Sequence, residues 1–178
     1  MITLTDREFL KSSIRNIPDF PKKGIQFKDI TTALKKPEVF SMIVDDISSH
    51  YKDLGITKVA AIESRGFITG GAVAFKLGAG FVPIRKLGKL PALTFSKQYD
   101  LEYGKDSLEI HQDAVGPQDV VLLHDDLLAT GGTALAAIEL LGNFNIRQIY
   151  VCFIIELDFL QGRQRLSSYA DVYSLIHF

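Results

Sequence analysis

The chain has 178 residues, 47% of them hydrophobic, enough to bury one substantial core, so a single domain over 1–178 is expected. A formal net charge of -1 offers no basic excess for nucleic acid, and the clusters Lys22-Lys23, Lys35-Lys36 and Arg85-Lys86 with Lys89 suit small anions or solvated faces. The one cysteine, Cys152, excludes an intramolecular disulfide; no apolar run reaches the roughly 20 residues that span a bilayer, and the first residues are too charged for a signal-peptide core. These features point to the cytoplasm, with neither nucleic acid nor membrane as partner.

In chain order, Thr5-Asp6-Arg7-Glu8 has capping-box spacing, and Phe9, Leu10 and Ile14 give an apolar side, so a short first helix is expected, stopped by Ile17-Pro18. Between Pro18 and Thr31, Pro21 and Gly24 forbid a long regular element and leave Phe20, Ile25 and Phe27 for packing. From Pro37, the spacing of Val39, Phe40, Ile43, Val44, Ile47 and Leu54 predicts a core-facing helix ending at Gly55. Val59 to Ile62 reads as a buried strand running into Glu63-Ser64-Arg65-Gly66, a charged turn before a glycine-punctuated helix. A lone arginine is most often a surface residue, but beside a helix N-terminus Arg65 is placed to meet an anion.

Phe81 to Ile84 predicts a third strand, followed by the basic stretch Arg85 to Pro91 and then polar residues and glycine to Asp106. A loop of about twenty residues without evident structure is commonly a lid or a binding loop, and residues 86–106 are expected to be one. On their own, Glu102 in this segment reads as a solvated acid and Tyr103 as a packing residue. Leu108 and Ile110, alternating with Glu109 and His111, predict an edge-like strand before the Gly116-Pro117 turn.

The most informative stretch is Val120 to Leu123, a buried strand that runs into His124, Asp125 and Asp126, then Leu127-Leu128-Ala129-Thr130-Gly131-Gly132-Thr133 and the apolar helix Ala134 to Leu141. The glycine pair permits a tight turn and close approach to a ligand, and the free N–H groups of the following helix favour an anion. Carboxylates repel phosphate, but they suit hydroxyls that need acceptors, so the pattern points to a sugar phosphate. No Gly-x-x-x-x-Gly-Lys-Ser/Thr occurs, which excludes a Walker A loop. Without more, the same residues could simply end a strand and cap a helix. Ile149 to Ile155 and Val172 to Phe178 complete the strands. Strands alternating with helices predict an α/β fold with a mostly parallel β-sheet flanked by helices and ligands at the carboxyl ends of the strands.

Several of these stretches carry a resemblance. Val121 to Thr133 resembles the phosphoribosyl-diphosphate (PRPP) signature of type I phosphoribosyltransferases, and its Asp-Asp-Leu-Leu-Ala-Thr-Gly-Gly-Thr form is similar to the adenine branch. Pro18-Asp19-Phe20-Pro21 through Asp29-Ile30-Thr31, Ser64-Arg65-Gly66-Phe67, Leu101-Glu102-Tyr103-Gly104 and Glu156-Leu157 through Gly162-Arg163 resemble that family's remaining motifs in order, although Lys23 replaces a usual proline and His124 a usually apolar residue. The resemblance implies a small hood from the N-terminal and C-terminal segments (residues 1–36 forming its N-terminal part) and a lid over 86–106. It also implies Mg²⁺-dependent transfer of the phosphoribosyl group from PRPP to adenine, giving AMP and diphosphate in purine salvage, by a homodimer.

Carried onto this sequence, the resemblance gives Asp125, Asp126, Ala129, Thr130, Gly131, Gly132 and Thr133 to the ribose and 5′-phosphate, and Arg65, Arg85, Lys86, Lys89 and Tyr103 to the diphosphate and lid. It gives Gln26, Phe27, Lys28 and Leu157 to adenine, with Glu102, Arg65 and Asp126 as catalytic residues. Arg85 would reach the diphosphate of its own or the neighbouring subunit. Mg²⁺ would be held mainly by PRPP and water. Two alternatives stay open: a PRPP-binding regulator without catalysis, and a transferase for another base such as xanthine, hypoxanthine-guanine or orotate.

Overall fold

The computed structural model describes residues 2–101 and 104–178. Helix α1 spans Leu4–Ser13, and its capping box is formed by Thr3 and Asp6: the Thr3 hydroxyl accepts from the Asp6 amide at 3.1 Å and the Asp6 carboxylate accepts from the Thr3 amide at 2.8 Å. This corrects the expected box at Thr5 and Glu8, because the chain is still extended at Thr3 and already helical at Thr5. The helix also ends before Ile17-Pro18. Those residues belong instead to strand β1, Arg15–Pro18, which pairs antiparallel with β2, Gln26–Asp29, setting Ile17 opposite Phe27. The turn between them is closed by Asp19, whose carboxylate accepts from the Gly24 amide at 2.6 Å. With α1 and the short α2, Thr31–Leu34, this hairpin makes a hood outside the main sheet.

Helix α3, Pro37–Tyr51, buries Val39, Ile43, Ile47 and Tyr51; it stops short of Leu54. Then come β3 (Lys58–Ile62), α4 (Arg65–Leu77), β4 (Gly80–Lys86), β5 (Thr94–Leu101), β6 (Gly104–His111), β7 (Val120–Leu128), α5 (Gly132–Leu141), β8 (Gln148–Glu156), α6 (Gly162–Leu166) and β9 (Asp171–His177). The seven-stranded sheet has the order β5-β6-β4-β3-β7-β8-β9 and is parallel from β4 to β9, with β6 and β5 antiparallel. No described helix is long and apolar enough to cross a membrane.

Two expectations change here. Much of the segment expected to lack structure folds as the β5–β6 hairpin, and β6 lies inside the sheet while β5 forms the edge. Tyr99, Leu108 and Ile110 are buried against the α5 side, so one face of a largely polar hairpin is anchored to the core. Strand β7 also runs farther than expected: it pairs with β8 as far as Leu128 opposite Glu156, so Asp125 and Asp126 lie within the strand.

The alternation of β7 divides the core. Val121 and Leu123 join the cluster under α5, while Leu122 joins the cluster under α3 and α4. The order of the sheet reverses between β3 and β7: β3 leads through α4 to β4 on one side, and β7 leads through α5 to β8 on the other. That is where an open α/β sheet leaves a crevice at its carboxyl edge.

Candidate active site

The crevice collects two turns. After β3, Glu63 and Ser64 lead into Arg65, the first residue of α4, and the Glu63–Ser64 peptide is cis. Across from it, Asp126 is almost fully buried, and its Oδ2 accepts from Arg65 Nε at 2.5 Å. The Asp125 carboxylate accepts the Asp126 amide at 2.8 Å. Burial, together with the neighbouring Asp126 charge, raises the Asp125 pKa well above the ordinary carboxylate value. A cavity lined by Glu63, Ser64, Arg65, Lys86, Tyr99, Asp125, Asp126 and Thr133 opens here. Lys86 Nζ is paired with Asp106 and lies 3.2 Å from the Tyr99 hydroxyl, so two of the expected cations, Arg65 and Lys86, reach this cavity.

A second cavity adjoins it, lined by Asp125, every residue from Leu127 to Ala134, and Phe153. Its floor is the start of α5. Gly131 precedes the helix with φ 79°, a left-handed setting that disfavours a side chain, and its carbonyl accepts from the Leu135 amide at 2.9 Å. The loop is closed from behind by Gly162, so tightly that a Cβ on Gly162 would stand 2.2 Å from the Ala129 carbonyl oxygen. Arg163 fixes this contact: its guanidinium donates to Glu156 at 2.9 and 2.5 Å and to the Val172 carbonyl at 2.5 Å. Free helix N–H groups with backbone this close form a cradle for an anion.

The remaining expected residues are placed differently. Phe27 reaches the site, with the Arg65 guanidinium carbon 5.6 Å from its ring centre and Phe20 edge-on at 5.2 Å. Leu157 is nearly buried, and its amide donates to the Leu128 carbonyl at 3.0 Å, just behind the loop. Gln26 bonds Asn16 at 2.6 Å, and Lys28 lies over the Phe178 ring at 4.0 Å, so both side chains are engaged in the hood or by the C-terminus. Arg85 donates to Glu63 of its own chain at 3.1 Å, and Lys89 is held through its amide by Glu109 at 2.9 Å; among the described residues neither lines the crevice. Glu102 and Tyr103 lie outside the described residues.

Sequence reasoning missed Glu63, which anchors both Arg85 and the Lys86 amide, although its place between strand and turn was a usable signal. It also missed Gly162 as the back wall of the loop, which no local pattern announces. Among the described residues, one group of donor atoms is close enough together to hold a metal ion, that of Glu156, Asp158 and His177. It lies away from both cavities' linings, and Glu156 is already taken by Arg163 and Ser174.

A parallel sheet with an acidic strand, a helix N-terminal cradle and an arginine turn at its switch point defines a sugar-phosphate-binding α/β domain, and residues 31–177 match the family model for a phosphoribosyl transferase domain. An adenine phosphoribosyltransferase from Trichlorobacter lovleyi is 53% identical over 171 residues, covering 96% of this chain and 99% of that protein. The crystal structure of the adenine phosphoribosyltransferase from Rhodothermus marinus superposes with a TM-score of 0.93 at 48% identity, covering 99% of this chain and 100% of the other. The Giardia lamblia enzyme complexed with 9-deazaadenine gives 0.92 at 44% identity, covering 100% and 99%. The chain belongs to the adenine phosphoribosyltransferase family.

Proposed function

We propose that this protein transfers the phosphoribosyl group of PRPP to adenine, releasing diphosphate and forming AMP. The observation that carries the reading is the meeting of the acidic pair, Arg65 and the α5 cradle in two adjoining cavities. Backbone N–H groups from Ala129 to Thr133 take the 5′-phosphate. Asp125 and Asp126 accept the ribose hydroxyls, and Arg65 and Lys86 take the diphosphate. The C1′–O bond breaks with its electron pair leaving on diphosphate, the ribose gains oxocarbenium character, and adenine N9 forms the new bond as its proton departs. Acceptors beside the ribose and cations beside the leaving group stabilise both developing charges. The role assigned to Glu102 is that of a proton relay to the purine near N7, and Phe27 and Leu157 receive the base.

Arg65 and Asp126 are bonded to each other, which sets the guanidinium beside the acidic pair, where the diphosphate and the ribose hydroxyls would meet them. Mg²⁺ would be held mainly by the phosphate oxygens of PRPP and by water, beside a crevice whose lining carboxylates are Glu63, Asp125 and Asp126. When bound, it would supply positive charge beside the diphosphate, with Asp125 or Asp126 as the protein groups within reach. The exposed apolar residues Ile68 and Phe75 on α4, with Phe81 and Leu87 nearby, favour pairing with a second copy of the chain. Incubation with Mg²⁺, PRPP and a panel of bases tests the whole reading: AMP and diphosphate should form with adenine, whereas PRPP binding without diphosphate release would identify a sensor instead.

A further inference from the structure

Below the crevice, two fully buried polar side chains face each other. His124 lies in β7 immediately before the acidic pair, and Thr69 lies one turn into α4; neither has any exposed surface. His124 Nε2 is 2.7 Å from the Thr69 hydroxyl, and Nδ1 is 3.2 Å from the Cys152 carbonyl. A carbonyl can only accept, so Nδ1 carries the proton and Nε2 must accept from Thr69. Burial holds the imidazole neutral, with its pKa lowered to about 4, so that this lone pair needs its donor.

The same helix meets β7 closer to its start. Arg65 bonds Asp126, and Gly66 lies so near the strand that a Cβ there would stand 3.0 Å from Asp125 Oδ1 and 3.1 Å from the His124 carbonyl oxygen. A Cβ on Gly70 would stand 2.8 Å from that of Ala61. These glycines let the helix lie down on the sheet, but a smooth glycine face does not set its rotation or its axial position. A directional hydrogen bond does, and Thr69 follows Arg65 by four residues, on the same helix face.

We infer that the Thr69–His124 hydrogen bond is a positioning pair that fixes α4 against β7, so that Arg65 meets the diphosphate end of the substrate. The inference rests on the PRPP reading above; both residues act through Arg65, and neither touches the ligand. Thr69→Val keeps the side-chain shape and removes the donor, while Thr69→Ser keeps the donor and loses only a methyl group. Calorimetric titration with PRPP in Mg²⁺, together with steady-state KM values for both substrates, separates the two effects.

With Val at 69, PRPP affinity should fall about tenfold as a misplaced helix becomes populated, while the KM for adenine changes less than about twofold. Thr69→Ser should bind PRPP within about twofold of the wild type. Thr69→Ala, which removes the same donor with less bulk, should weaken PRPP as Val does. Equal PRPP affinity in the Val and Ser variants, with only a lowered melting temperature in the former, would overturn the inference and leave a purely structural contact. Wild-type protein that binds no PRPP would overturn the substrate reading along with it.

Discussion

Alanine at position 162 would push the phosphate cradle out of shape from behind. Its Cβ would stand 2.2 Å from the Ala129 carbonyl oxygen, 2.9 Å from Leu128 Cδ1 and 3.1 Å from the Gly131 amide nitrogen, so one of the two backbones must retreat by roughly 1 Å. α6 cannot easily be the one, because Arg163 ties it to Glu156 and the Val172 carbonyl. The 129–131 loop therefore yields, into the cavity proposed above for the 5′-phosphate. Gly162 does not need a left-handed backbone, and alanine at a helical position normally gains about 0.5–1 kcal/mol; overpacking costs about 1–3 kcal/mol and should outweigh that gain. A misplacement of about 1 Å at a substrate-positioning element costs on the order of a hundredfold in rate, or about 2.7 kcal/mol. Initial rates at varied PRPP, and separately at varied adenine, should show kcat/KM for PRPP falling about a hundredfold with the KM for adenine nearly constant, and melting lowered by a few degrees, at about 2–4 °C per kcal/mol. An unchanged kcat/KM for PRPP, or a loss shared equally by adenine, would refute the reasoning.

Asp126→Asn should depress both PRPP affinity and turnover strongly, because it removes a charged acceptor and leaves Arg65 without its partner; wild-type kinetics would remove Asp126 from the ribose site. Glu102→Leu should leave PRPP affinity near normal while slowing the reaction with adenine, and an equal loss of PRPP binding would give Glu102 a different role. In the hood, hydrogen bonds from Thr31 and then Arg15 lower the Asp29 pKa to about 2. A carboxylate depressed in the folded state stabilises above its unfolded pKa of about 3.9, and that contribution drains away between about pH 4 and 2. Asp29→Asn should therefore lower the melting temperature at pH 6 and converge on the wild type near pH 2; a pH-independent deficit would mean that the charge is not what Asp29 contributes.

The parallel strands were legible because each centres on a short apolar run, buried on both faces in β3, β7 and β8, and the glycine turn at Gly131-Gly132 because few other sequences can place backbone so near an anion. The β5–β6 hairpin was not. Strand β5 is Thr-Phe-Ser-Lys-Gln-Tyr-Asp-Leu, an edge strand whose outward positions are polar, so only Phe95 and Tyr99 betray the buried face. The capping box was ambiguous for another reason: Thr3 with Asp6 and Thr5 with Glu8 have the same spacing, and only the point at which the chain leaves the extended conformation chooses between them. Within the site, the strand carrying the acidic pair was visible, but the partners were not. Nothing local to Arg65 says that it will sit on Asp126, and nothing in Gly162 says that it backs a loop some thirty positions earlier.

The reversal of strand order between β3 and β7 also bears on how the protein reaches its native state. Arg65 and Asp126 are 61 residues apart along the chain, and the β4, β5 and β6 strands intervene. Closing so long a segment costs entropy that no local contact offsets in advance, so the pairing of β3 with β7 is intrinsically slow to form. A partly folded chain holding only the N-terminal half, or only the Asp125–Thr133 loop with α5, has one side of the crevice and no site. Ligand that binds only across both sides stabilises the finished sheet by mass action and leaves earlier species untouched. PRPP bound across the crevice would thus protect the central strand pair against opening more than it protects the hood, so that the lifetime of the folded chain would rise with the concentration of its substrate.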